Sequence, residues 1–224
     1  MKTLSRLNLI KFFGLIFVVL TLSACSLTSS SSRAGLDSSV FLSTDGGNNW
    51  REAVTMASAG QPQNIRNLNV NTMVMDPQDN LAVYLASIDN GLYYTYNVIQ
   101  EGWLKAKNLP AGTIRSVQVD PKNKCIIYAA TGNQIFASQD CSRTWEQIYF
   151  DNNTGVTINT IAIDHYNPRN LYIGTSRGEI IKSIDAGASW RTIRRLDEGI
   201  SQLIVSPLDS RIVFVASERN RIFS

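Results

Sequence analysis

The sequence predicts an all-β fold, a β-propeller of four-stranded blades, on three observations. The first is a recurring motif, S-x-D-x-G-x-x-W. Ser43, Asp45, Gly47 and Trp50 carry one copy, and Ser183, Asp185, Gly187 and Trp190 another. Ser138, Asp140 and Trp145 carry a third, with Ser142 in the glycine position. A worn fourth copy keeps Thr95, Asn97 and Trp103 with one residue inserted. The second observation is spacing. Asp76, Asp120, Asp164 and Ser206 close equivalent apolar runs 44, 44 and 42 residues apart. Repeats of this length are supersecondary units that bury their faces by stacking on one another. The third observation is periodicity. Short β-branched and aromatic runs are punctuated by Pro, Asn, Asp and Gly, and no helical period follows the N-terminus.

The elements follow in order. Residues 38–54 supply the third and fourth strands of one unit, around the first motif. Residues 70–107, 114–150 and 158–195 supply three full units. Each opens on a run ending at the aspartate: Val74–Asp76, Val117–Asp120, Ile161–Asp164. A second run follows at Val83–Ala86, Ile127–Ala130 and Leu171–Gly174, and a third at Leu92–Thr95, Ile135–Ser138 and Ile180–Ser183. A weaker fourth follows the tryptophan at Glu146–Ile148 and Arg191–Ile193. Residues 200–224 hold three strands of a further unit: Ile204–Val205, Val213–Ala216 and Arg221–Ser224. About four to five blades are represented, which predicts an incomplete propeller. The alternative is a small four-bladed ring, closed by residues 38–54 pairing with the last unit.

The motif reads as turn chemistry. Its aspartate accepts hydrogen bonds from backbone N–H groups within its own turn. Gly47 and Gly187 supply positive φ, and Trp50, Trp145 and Trp190 are plates suited to filling space between blades. Each copy offers one carboxylate and no ladder of further ligands, so Ca²⁺ binding is disfavoured. Neither metal nor cofactor is expected.

These residues resemble the Asp-box, or bacterial neuraminidase repeat, over roughly residues 38–224. The repeat occurs in sialidases, sortilin-type receptors, tandem-repeat glucanases and the Ycf48-like and HCF136-like assembly factors. The resemblance implies a propeller in which the box lies between the third and fourth strands of a blade, away from any active centre. It says little of function, because one fold hosts many functions.

The N-terminus reads as an export signal. Lys2, Arg6 and Lys11 precede the apolar run Phe12–Leu20, a run too short for a comfortable membrane span. Leu22-Ser23-Ala24-Cys25 resembles a bacterial lipobox, which implies cleavage after residue 24 and lipidation of Cys25. The expected organisation is a signal at 1–24, a lipidated cysteine with a Ser-rich tether at 25–37, and the propeller at 38–224. The expected location is the exported side of a bacterial membrane, the outer membrane in a Gram-negative host.

Overall charge gives no sign of a nucleic-acid partner, and none is expected. Residues 1–24 hold three of the 21 basic residues and no acids, leaving 18 bases against 18 acids in the mature chain. One local bias remains: Arg177, Arg191, Arg194, Arg195, Arg211, Arg219 and Arg221 crowd the last 50 residues. They form a candidate basic patch for an acidic partner. The competing reading is scattered solvated charge, offset by Asp197, Glu198, Asp209 and Glu218. With Cys25 lipidated, Cys125 and Cys141 remain. Antiparallel pairing about residue 133 sets them opposite each other, within reach of a disulfide.

A catalytic set is missing. The single histidine, His165, sits between Asp164 and Tyr166 at a strand end. No zinc-protease or α/β-hydrolase motif is present, and neither is the R-I-P signature that opens sialidases. The recurrence of Asp76, Asp120 and Asp164 argues for turns rather than a glycosidase pair. The sequence therefore predicts a membrane-anchored, non-catalytic binding or assembly scaffold for a protein or glycan partner. The alternatives are a glycoside hydrolase of the sialidase or tandem-repeat glucanase type and a sortilin-like peptide receptor.

Overall fold

A computed structural model describes residues 39–57 and 61–218. The signal, Cys25, the tether, Arg219 and Arg221 lie outside those residues, as does the run Arg221–Ser224. The described chain is all β. Strands β1 (Phe41–Leu42) and β2 (Arg51–Glu52) form a hairpin around the first box. Three complete blades follow. The first is β3 (Val70–Asp76), β4 (Asp79–Ser87), β5 (Leu92–Thr95) and β6 (Leu104–Lys105). The second is β7 (Ile114–Asp120), β8 (Asn123–Thr131), β9 (Gln134–Ser138) and β10 (Glu146–Phe150). The third is β11 (Ile158–Ile163), β12 (Leu171–Thr175), β13 (Glu179–Ser183) and β14 (Arg191–Arg195). Each is an antiparallel meander in chain order. Strands β15 (Ile200–Val205) and β16 (Val213–Ser217) pair as the start of a fourth. Among the described residues β1 pairs with β2 and β15 with β16, and no pairing joins the two hairpins.

The recurring aspartate makes the first turn of every blade. Asp76 Oδ1 accepts the N–H of Gln78 at 2.8 Å, and Asp120 Oδ1 that of Lys122 at 2.7 Å. Asp164 Oδ1 accepts that of Tyr166 at 2.9 Å. Ser206 does the same with its hydroxyl, accepting the N–H of Leu208 at 3.2 Å. These are Asx- and ST-turns, which tie a strand end to the return strand. Burial works to raise the Asp164 pKa, but the Asn170 amide, the N–H groups of Asn167 and Tyr166 and the charge of Lys182 outweigh it and hold the carboxyl below its ordinary value. These carboxylates are spoken for by the backbone.

The core lies between blades. The first strands pack in succession, β3 on β7, β7 on β11 and β11 on β15. Tyr84, Ala86 and Tyr94 of the first blade meet Val117, Val119, Ile127 and Ala129 of the second. Tyr128 and Ala130 of the second meet Ile161, Ile163, Leu171 and Ile173 of the third. Tyr172 and Ala162 then meet Leu203 and Val205. An aromatic on the second strand faces two branched residues on the next blade each time, so one packing solution recurs with the sequence period.

Candidate functional site

Three features compete for function: the boxes, the cysteine pair and the arginines. The boxes are one structure used three times. The Ser43, Ser138 and Ser183 hydroxyls donate to Oδ1 of Asp45, Asp140 and Asp185 at 2.8, 2.9 and 2.7 Å. The same hydroxyls accept the N–H of Gly47, Ser142 and Gly187 at 2.9, 2.9 and 2.8 Å. Each aspartate Oδ1 then accepts the N–H four residues on, from Asn49, Thr144 and Ser189. The turn requires two consecutive left-handed residues: Gly46 and Gly47 (φ 71° and 91°), Cys141 and Ser142 (59° and 67°), Ala186 and Gly187 (62° and 94°). The need at the first of these two positions was not visible in the motif, because the pattern places glycine only at the second.

Hydrogen bonds hold the box carboxyls well below the ordinary 3.8, at about 2 in all three cases. The leading cause is the Asn49 backbone N–H for Asp45, the Thr144 hydroxyl for Asp140 and the Ser189 hydroxyl for Asp185. A carboxyl depressed in the folded state stabilises above its unfolded pKa, and that stability is lost as pH falls through the folded value. The boxes should therefore weaken between about pH 4 and pH 2. Melting temperatures measured across that range should fall less steeply in Asp185→Asn than in the parent. An unchanged slope would show that the carboxyl is not held by the turn.

The tryptophans do not share one fate. Trp190 packs against the cluster between the second and third blades, and Trp145 against that between the first and second. Trp50, expected to fill a similar gap, is 63% exposed. Its indole donates to the Gly47 carbonyl at 3.0 Å and stays within its own turn. Trp103 of the worn box is 2% exposed and donates to the Ala53 carbonyl at 2.7 Å.

Cys125 and Cys141 form a disulfide, with Cα atoms 3.9 Å apart. The register that brings them together differs by one from simple pairing about residue 133. The ladder runs from Thr131↔Gln134 to Ile127↔Ser138, about a midpoint between residues 132 and 133. Cys141 lies beyond its end. The left-handed turn carries the chain back so that the Cys141 N–H donates to the Cys125 carbonyl at 3.1 Å. In the third blade Ala186 donates to the Arg169 carbonyl in the same way, at 2.9 Å.

The arginines divide between the two faces of the third blade. Arg177 donates to Glu179 at 2.6 Å and to Asp151 at 3.3 Å, and Arg195 reaches Glu179 at 3.2 Å. The Glu179 hydrogen bond, with the carboxylates of Glu179 and Asp151, holds the Arg177 guanidinium pKa above its ordinary value. These two cations are neutralised at the hairpin end of the seam with the second blade. Arg191 and Arg194 pair across the strand with Lys182 and Ile180 instead. Ile180 packs toward β15, and the Lys182 ammonium sits 4.8 Å from the Tyr172 ring centroid on that side. Lys182, Arg191 and Arg194 thus form a basic strip along the outer edge, facing the fourth unit. Among the described residues no ion pair is made by Lys182, Arg191 or Arg194. Arg211 pairs with Asp209 at 2.7 Å.

A belt of inter-blade hydrogen bonds escaped the sequence reading. Asn71 and Asn159 donate side-chain N–H groups to the Ile114 and Ile200 carbonyls, each at 2.9 Å. Gln78, Lys122 and Tyr166 each donate to a carbonyl in the next blade's first turn: Asp120, Tyr166 and Leu208. The signal was available, since Gln78, Lys122 and Tyr166 stand two residues after successive turn aspartates. Among the described residues no group of three or more His, Cys, Asp or Glu could hold a metal ion, and no helix is long and apolar enough to cross a membrane.

A family profile described as photosynthesis system II assembly factor YCF48 matches residues 28–223. No curated protein sequence matches the chain. Among solved structures, the chain is similar to an ancestral GH74 enzyme, at 20% identity and TM-score 0.58 over 66% of this chain and 21% of that one. It is similar to the GH74 xyloglucanase from Xanthomonas campestris, at 18% identity and TM-score 0.57 over 70% of this chain and 27% of that one. It is also similar to YCF48 bound to D1 peptide, at 17% identity and TM-score 0.51 over 62% of this chain and 45% of that one. These likenesses show the fold, and the chain spans less than half the length of each.

Proposed function

The chain belongs to the photosynthesis system II assembly factor YCF48 family, and we propose that it is an exported, lipid-anchored propeller that binds a protein partner without transforming it. The observation that carries this reading is the family match over residues 28–223. A relative of the same family, similar in fold, has been seen bound to D1 peptide, which supports a peptide segment of a partner protein as the ligand class. The surface proposed for it is the strip of Lys182, Arg191 and Arg194. Arg191 and Arg194 are exposed and make no ion pair among the described residues, and with Lys182, whose ammonium also acts on the Asp164 carboxylate, they favour an acidic segment and would speed its capture.

Binding tests the reading directly. An acidic peptide titrated into the full chain should bind, and Arg191→Glu with Arg194→Glu should weaken it about tenfold or more, as charge reversal across an interface does. The melting temperature should stay close to the parent's, because both side chains are exposed. Equal binding by parent and variant would refute the strip. The hydrolase reading rests on the GH74 likeness, which is a likeness of fold. The three repeated carboxylates it would draw on are fastened to backbone N–H groups in turns.

The anchor is tested separately. Cys25 precedes the propeller by a short Ser-rich tether, and its lipidation would hold the binding surface at the membrane. Cys25→Ala should move the protein from the membrane pellet to a soluble or unprocessed pool. A variant that fractionates and migrates like the parent would exclude lipidation at this residue.

A further inference from the structure

The box at residues 138–145 is the least self-sufficient of the three. Both of its left-handed positions, Cys141 and Ser142, carry side chains, where the others have two glycines or one. A left-handed residue with a Cβ is disfavoured, and glycine removes the penalty. Its tryptophan is also worse placed. The Trp50 and Trp190 indoles donate to the Gly47 and Gly187 carbonyls, whereas the buried Trp145 N–H has no partner. This box alone carries a disulfide, from its first left-handed residue to the start of β8. The bridge lies where the third blade relies on the single hydrogen bond from Ala186 to Arg169.

The turn also stands at a seam. Tyr96 of the first blade donates its hydroxyl to the Cys141 carbonyl at 2.7 Å. Trp145 packs on the cluster formed by Tyr84, Tyr94 and Val117, between the first and second complete blades. Both cysteines are half-buried and lie outside the buried core.

We propose that the Cys125–Cys141 disulfide is a redox latch that keeps this turn, and the seam it seals, closed. A dithiol opens it by exchange. The first thiolate attacks one sulfur, the Cys125–Cys141 bond breaks, and a mixed disulfide forms. The second thiolate then displaces the protein thiol, leaving two cysteine thiols and the oxidised reagent. The released turn must hold two left-handed side chains by hydrogen bonds alone, and it opens locally while its glycine-bearing counterpart stays shut.

Hydrogen exchange read by mass spectrometry on the full-length exported protein, with and without dithiothreitol, tests this. Amides in 138–150 should exchange about tenfold faster on reduction, the factor expected from one disfavoured left-handed residue, while 183–195 stay unchanged. Ser142→Gly should restore slow exchange in the reduced protein. Cys125→Ser with Cys141→Ala should exchange at the reduced rate whether or not reductant is present. Unchanged exchange at 138–150 after reduction confirmed by alkylation would overturn the latch. So would equal acceleration at 183–195, which would mark the bridge as a general staple, or a Ser142→Gly variant that stays open when reduced.

Discussion

Trp190→Ala is expected to cost about 3 kcal/mol of unfolding free energy, the low end for truncating a core aromatic, because the ring is only half-buried. Trp50→Ala, the same substitution at the same motif position, should stay within about 0.5 kcal/mol of the parent, as surface changes do. The difference lies in what each plate meets. Trp190 packs on the cluster between the second and third blades, which includes Ile158, Ile161 and Ile173. It meets Tyr149 edge to face, with ring centroids 5.4 Å apart, an arrangement aromatic rings prefer. Its indole N–H is shared between the Gly187 and Ile148 carbonyls, at 3.0 and 3.1 Å, so it ties its own turn to β10. Truncation opens a cavity in the seam and strands those carbonyls. Trp50 donates only to Gly47 within its own exposed turn. Urea denaturation of the two variants and the parent decides the matter. Equal losses would mean that the motif tryptophan acts within its turn and not between blades.

That contrast marks how far the sequence could be read. The box, its hydrogen bonds and its place between third and fourth strands are local, so four spaced residues specify them. The strands were legible for the same reason: Leu92–Thr95 is β5 as read, and Ile180–Ser183 lies within β13. The exposure of Trp50 is not local, because it depends on which sheet stands beside the turn. The cysteine register erred by one residue because the hairpin centre falls between Gly132 and Asn133, and a left-handed turn beyond the ladder supplies the missing step. The arginines misled most. Arg177 and Arg195 on one side of the third blade, and Arg191 and Arg194 on the other, look like one cluster in the sequence. A bulge opposite Ile180 and Ile181 sets Arg194 against Ile180 and Arg195 against Glu179, and one-residue shifts of this kind move side chains across a sheet.

Trp103→Ala should be the more damaging substitution, at about 4–5 kcal/mol, the upper end for a fully buried aromatic. Its worn box keeps Thr95 and Asn97 as turn formers: Thr95 Oγ1 accepts the Asn97 N–H, and Asn97 Oδ1 accepts those of Ile99 and Gln100. The tryptophan has taken on a different task. It packs with Val40, Val54, Ile65, Leu85 and Tyr93, so it joins the chain before the first complete blade to that blade. Its indole donates to Ala53, its backbone N–H to Thr55, and its carbonyl accepts from Ala57. Gly102 beside it lets the chains touch, since a Cβ there would lie 2.4 Å from the Ala57 nitrogen. Truncation keeps the two backbone bonds but removes the plate under them and leaves the Ala53 carbonyl facing a void. The expected result is more than a lower denaturation midpoint. Residues 39–57 should exchange amide hydrogens faster at concentrations of urea where β7 to β14 remain protected, because Trp103 is the largest buried side chain of the cluster that joins this segment to the first blade. If the segment stayed as protected as in the parent, its attachment would rest on the backbone bridge at Met56 and Trp103, and the indole would be filling rather than fastening.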